Sequence, residues 1–164
     1  MARMRALAGV GVALAGVAVL AACTHQQGLL TFSPQYSLGY DDKGASAALA
    51  YGLPNSDDVA LMLECPKGTG RVELTDTAHG KATTAIMLTA DGRNTRVPVH
   101  FDETFQDGSN DPQVVVGHLP ASAAALQGLR RSGVIEVSNG AKAYSITVAP
   151  DHRAGVERFF RECG

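Results

Sequence analysis

The sequence contains no tryptophan, and Phe and Tyr together make up only 5% of its 164 residues. So few rings weaken any case for carbohydrate stacking. Charge is sparse as well. Asp, Glu, Lys and Arg account for 18% of residues, and the formal net charge is −2. No basic cluster is longer than Arg130-Arg131, so the electrostatic footprint of a nucleic-acid binder is missing. There is no H-E-x-x-H, no G-x-S-x-G and no phosphate-binding glycine loop. The glycines fall at turns instead. Apolar content of 45% nevertheless argues against disorder.

What remains for chemistry is scattered. His25, His79, His100, His118 and His152 show no metal-ligand spacing, and Cys65 and Cys163 have no nearby Cys partner. His100 and His118 are expected on neighbouring strands, but no acid and nucleophile accompany them in sequence. Asp41-Asp42 and Asp57-Asp58 are paired carboxylates. Adjacent residues on a strand point to opposite faces, so turn and cap roles suit them better than acid–base catalysis. Asp107-Gly108-Ser109-Asn110-Asp111 places oxygens at alternate positions, as a calcium loop does. An EF-hand would continue with Gly at its sixth place and Glu at its twelfth, where this chain has Pro112 and His118. A solvated loop is the simpler reading, with a looser calcium site using Asp102 or Glu103 as the alternative. No catalytic residue, metal ligand or cofactor is assigned.

The N-terminus is more specific. Met1-Ala2-Arg3-Met4-Arg5 is short and basic, and Ala6 to Leu20 is uncharged and made almost wholly of Ala, Val, Leu and Gly. A run of that length at 1.5 Å per residue covers only part of a ~30 Å hydrocarbon core. It matches the apolar region of a signal peptide. Leu20-Ala21-Ala22-Cys23 follows. This order resembles the lipobox of bacterial lipoproteins. The resemblance covers residues 1–23 and implies cleavage before Cys23, a diacylglycerol on its sulfur and a membrane anchor of two or more acyl chains. Thr24 stands where an Asp would favour inner-membrane retention in enteric-type bacteria. The expected location is therefore the outer membrane, facing the periplasm. The alternative is a secreted protein cut near Ala22, with Cys23 free for a disulfide.

Removing residues 1–22 leaves a chain of ordinary single-domain size. If Cys23 carries lipid, Cys65 and Cys163 remain, and an oxidising envelope favours one disulfide between them. Two buried thiols or an intermolecular bond are the alternatives. Cys65 shares a strand face with Val59, Leu61 and Leu63. Cys163 shares a helical stripe with Val156, Phe159 and Phe160. Both sulfurs are expected in one apolar layer.

Residues 23–34 read as the lipidated N-terminus and a tether, although Leu29, Leu30 and Phe32 also suit a first strand. Residues 35–164 read as one β-rich domain. Strands are expected at Gln35–Tyr40, Ala47–Tyr51, Val59–Cys65, Arg71–Thr75, Thr83–Thr89, Thr95–Phe101 and Gln113–His118. Asp91-Gly92 suggests a hairpin turn, and Pro98 suggests an edge strand. A short helix is expected over Ala121 to Arg131, with Pro120 in its first turn and Gly133 at its stop. Asn139-Gly140 is read as a two-residue type I′ turn placing Ile135 opposite Tyr144 and Val137 opposite Lys142. A last helix follows Pro150, with Asp151 as N-cap and an Arg153, Glu157, Arg161 stripe at i, i+4. Strands so close in sequence imply an antiparallel sheet, curled or sandwich-like, in an α+β domain whose C-terminal helix packs on the sheet.

This reading makes the chain a membrane-anchored envelope lipoprotein of non-enzymatic role, binding a protein or another envelope component. A small hydrolase with a dispersed site and a small-molecule or metal-binding module are the alternatives.

Overall fold

The computed structural model describes residues 28–105 and 113–164. Cys23 and the Asp107–Asp111 loop lie outside them. Ten strands form one curled sheet: β1 (Gly28–Leu29), β2 (Ser37–Asp42), β3 (Ser46–Gly52), β4 (Val59–Pro66), β5 (Arg71–Asp76), β6 (Ala85–Ala90), β7 (Arg93–Phe101), β8 (Val115–Pro120), β9 (Val134–Ser138) and β10 (Lys142–Thr147). Their order across the sheet is β1-β10-β9-β6-β7-β8-β5-β4-β3-β2. The sheet closes to a half-barrel, and β2 returns against β10. Helices α1 (Ala124–Ser132) and α2 (Arg153–Cys163) pack on it.

The fold class stands as expected, with one correction: the sheet is mixed. Gly28 and Leu29 pair in parallel with Lys142 and Ala143. The sheet thus begins inside the stretch read as tether, as the alternative reading of Leu29 to Phe32 has it. A parallel pair needs a long crossover, and here nearly the whole domain is that crossover. No local pattern announces such a pairing.

The core follows strand alternation. Leu61, Leu63 and Cys65 of β4 point inward, as do Leu74, Ile86, Leu88, Ile135 and Ile146 of their strands. Helix α1 adds Leu126 and Leu129, and α2 adds Val156, Phe159 and Phe160. Gly128 lets α1 lie on β6, because a Cβ there would come within 2.5 Å of the Ala90 carbonyl oxygen.

Several local expectations need correction. Pro98 is not on an edge strand, since β7 pairs with β6 and β8. The Val99 N–H donates to Thr84 of the β6 side at 3.1 Å. Alternate residues face opposite ways, so the donorless Pro98 faces β8, where the ladder starts only at Val99. Pro120 ends β8, and α1 begins at Ala124 instead of Ala121. Gly133 does stop α1, in the left-handed conformation at φ 75°. Asp151 is not an N-cap. Pro150–His152 forms a 3₁₀ turn, and His152 takes the cap position without a side-chain bond. The helical i, i+4 pair is Arg158–Glu162 at 2.7 Å, while Glu157 reaches across to Arg130 at 2.8 Å.

Asp91-Gly92 turns as expected, with φ of 51° and 67°. The β9–β10 hairpin does not. Ile135 lies opposite Ile146 and Val137 opposite Tyr144. Gly140 and Ala141 form the tip, because the Asn139 side chain accepts from the N–H groups of Ala141 at 3.0 Å and Lys142 at 2.8 Å. That side-chain turn competes with the type I′ geometry. The slip is two residues, so the inward faces survive.

Candidate functional site

The residues singled out in the sequence separate into distinct places. Cys65 and Cys163 form a disulfide with a Cα separation of 5.8 Å, both fully buried. It ties the end of α2 to the end of β4. The following turn strengthens the tie, since Gly68 and Gly70 donate N–H groups to the carbonyls of Glu162 and Cys163 at 2.8 and 2.6 Å. His100 and His118 do lie on neighbouring strands, but at the surface. Among the described residues, His118 comes within 4.0 Å of one acid, Glu73, with both side chains half exposed. Among the described residues, no three His, Cys, Asp or Glu side chains converge on a metal position.

The densest polar arrangement in the interior is one that no motif announces. Asp76 ends β5 and is fully buried. Its carboxylate accepts from the N–H groups of Ala78 at 3.1 Å and His79 at 2.9 Å, folding the chain into a side-chain turn. It also meets Nδ1 of His79 at 3.0 Å and accepts from the Tyr144 hydroxyl at 2.8 Å. A carboxylate only accepts, so Nδ1 carries the proton. The Tyr144 hydroxyl is pushed far above its usual range by burial, and further by the charge of Asp76. It stays a donor. Rings gather round this node: Tyr144 stacks on His79 at 5.3 Å and on Tyr51 at 6.2 Å, and Phe32 meets it edge-on at 5.1 Å. Tyr51 belongs to β3 and Phe32 follows β1, so the cluster closes the gap between the two ends of the curled sheet.

Nε2 of His79 is buried and has no hydrogen-bond partner among the described residues. His79 also contributes to the wall of an open groove of about 610 Å³, with Thr83, Met87, Arg96, Ser138 and Asn139. Thr83 Oγ1 accepts from Asn139 Nδ2 at 3.0 Å and donates to the His79 carbonyl at 3.2 Å. These bonds hold the loop after β5 against the β9–β10 hairpin. The volume suits a small ligand, and its walls mix apolar and polar groups. Chemically, the Asp76–His79 pair has half of a nucleophile-activating arrangement. Among the described residues, no hydroxyl or thiol bonds to Nε2; a nucleophile-activating arrangement has one there. The Asp76-x-x-His79 spacing after a strand was the available signal. Tyr144, 68 residues away, had none.

A second polar cluster lies on the surface over the disulfide. Glu162 accepts from Arg158 at 2.7 Å and from the Tyr40 hydroxyl at 2.8 Å, and it lies 3.0 Å from Lys67. The Arg158 bond, then those from Tyr40 and Lys67, hold its carboxyl down at about 2. Asp42 is lowered too, mainly by Lys67 and then by the Gly44 N–H. A folded-state value below the ordinary 4.5 stabilises the fold above that pH, and the contribution fades as pH falls towards 2. The melting temperature of the wild type is therefore expected to drop more steeply between pH 5 and 2 than that of Glu162→Gln. Parallel slopes in a pH series would contradict this assignment.

Fold and site together define a small disulfide-linked α+β domain with a curled mixed sheet and a groove of mixed polar and apolar walls by a buried Asp–His–Tyr node. Compared with family models, curated proteins and solved structures, the chain matches none.

Proposed function

We propose that this protein is an envelope lipoprotein, held to its membrane by lipid on Cys23, which binds another envelope protein or component without turning over a substrate. The observation that carries the reading is the Cys65–Cys163 bond. It accounts for two of the three cysteines, and such bonds persist in oxidising compartments. The third, Cys23, then stands alone, directly after a basic start, an apolar run and two small residues. Thr24 after the lipidated residue favours the outer membrane, facing the periplasm.

The test is Cys23→Ser. The variant is expected to lose incorporation of labelled palmitate and to move into the soluble fraction. Undiminished membrane attachment would refute the anchor. Crosslinking in intact envelopes then separates the kinds of partner. A protein adduct supports the leading reading. Protein purified with a small molecule, and without an adduct, supports the second reading, which the groove beside His79 favours.

A further inference from the structure

We infer that the end of the domain where β1 enters the sheet is laid against the membrane that holds the anchor, with Leu29 seated among the lipid headgroups. The inference rests on lipidation at Cys23 and adds an orientation to it.

Gly28 is only five residues beyond Cys23. Fully extended, that chain reaches roughly 18 Å, less than the thickness of a small domain. Its far end is fixed. Gly28 donates to the Ala141 carbonyl and Leu30 to the Ala143 carbonyl, each at 2.8 Å. The anchor therefore cannot leave this edge, and the β9–β10 hairpin tip comes with it. A longer tether would leave orientation free, and this one does not.

The surface at this end suits a bilayer. Leu29 is 83% exposed, against 41% for Val134, the next most exposed large hydrophobic side chain among the described residues. Leu30 and Phe32 pack against the core, so Leu29 is left outside while its neighbours are covered. It borders a shallow hollow shared with Pro34, Tyr36 and Tyr51. Tyrosines favour the membrane–water interface, where one end of the ring is apolar and the other wet. Lys142, the exposed strand partner of Gly28, makes no ion pair among the described residues and is available to anionic headgroups. Asp58, whose carboxylate holds the Tyr36 hydroxyl up at about 12, marks the polar rim and limits the contact to shallow seating. One leucine adds only about a 10- to 100-fold preference. Tethering makes that sufficient, because the contact is intramolecular once the lipid is inserted. Ala141 also lines the groove beside His79, so that groove lies at the same end.

The test uses the full mature, acylated chain in vesicles of phosphatidylethanolamine and phosphatidylglycerol, with a fraction of spin-labelled lipid. Single cysteines carrying an environment-sensitive fluorophore replace Leu29, or Thr31, which leaves Leu29 and Lys142 in place. Asn94→Cys, beside the Asp91-Gly92 turn at the opposite end of the strands, is the control. Blue-shifted emission and lipid quenching at positions 29 and 31, with neither at 94, is the expected result. Mass spectrometry of the same sample reports acylation. Acylated protein in which position 29 is as unquenched as position 94 overturns the orientation and leaves the anchor intact. A blue shift that lipid does not quench, and that grows with protein density, overturns it in favour of a second copy. Unmodified Cys23 overturns orientation and anchor together.

Discussion

Replacing both Cys65 and Cys163 with alanine is expected to lower the stability of the domain by roughly 2–5 kcal/mol, and its melting temperature by about 10 °C or more. The bond closes a loop with a sequence separation of 98. In the chain-entropy model a loop of about 100 residues is worth ~4.7 kcal/mol, and measured values often fall below the model. The fold itself is expected to survive. Phe159 and Phe160 remain buried at 0% and 5% exposure, and each ring contributes roughly 1.5–3 kcal/mol. The Gly68 and Gly70 N–H groups still bond to the carbonyls of Glu162 and Cys163. Much of the loss therefore arises in the unfolded chain, which regains freedom. Equilibrium urea unfolding of the oxidised wild type and the double variant measures it. A difference under ~1 kcal/mol would mean that α2 is held by packing alone.

Asp76→Ala is expected to cost about 3–5 kcal/mol, because it strands two buried side-chain donors at roughly 1–3 kcal/mol each and removes the acceptor of a turn. Those donors are the His79 Nδ1–H and the Tyr144 hydroxyl. Tyr144→Phe removes one donor from a carboxylate that keeps three other bonds, and is expected to cost only about 1–2 kcal/mol. The two losses overlap, so the double variant should fall short of their sum. Urea unfolding of the four proteins gives the cycle. An Asp76→Ala loss below ~1 kcal/mol, or strict additivity, would contradict the role of Asp76 as the common acceptor. The consequence for function is positional. Asp76 and Tyr144 join the loop after β5 to β10, and that loop forms one wall of the groove.

Much of this architecture was legible in the sequence because its strands are local. Val59–Cys65 alternates cleanly, and Val156, Phe159, Phe160 and Cys163 keep one helical stripe. Together they place both cysteines in one apolar layer, where the disulfide is found. The Asp91-Gly92 turn was legible for the same reason: its chemistry is complete within two residues. What escaped depends on partners far along the chain. Parallel pairing of Gly28 and Leu29 with Lys142 and Ala143 has no local period. Pro98 reads as an edge residue until two strands are seen to share β7 end to end. The hairpin slipped by two residues because the Asn139 side chain, not the Asn-Gly backbone, sets the turn. Asp76 and His79 fall between two expected strands and carry no motif of their own, and the structure shows them forming a side-chain turn. Their burial came from Tyr144 and the closing of the sheet on itself.

The central claim is the proposed lipid on Cys23, because the proposed compartment and orientation both rest on it. The most direct measurement is mass spectrometry of the N-terminal tryptic peptide from membrane-purified protein. The expected peptide begins at Cys23 and runs to Lys43, heavier by a diacylglycerol and an amide-linked acyl chain. A peptide that begins elsewhere, or that begins at an unmodified Cys23, would contradict it.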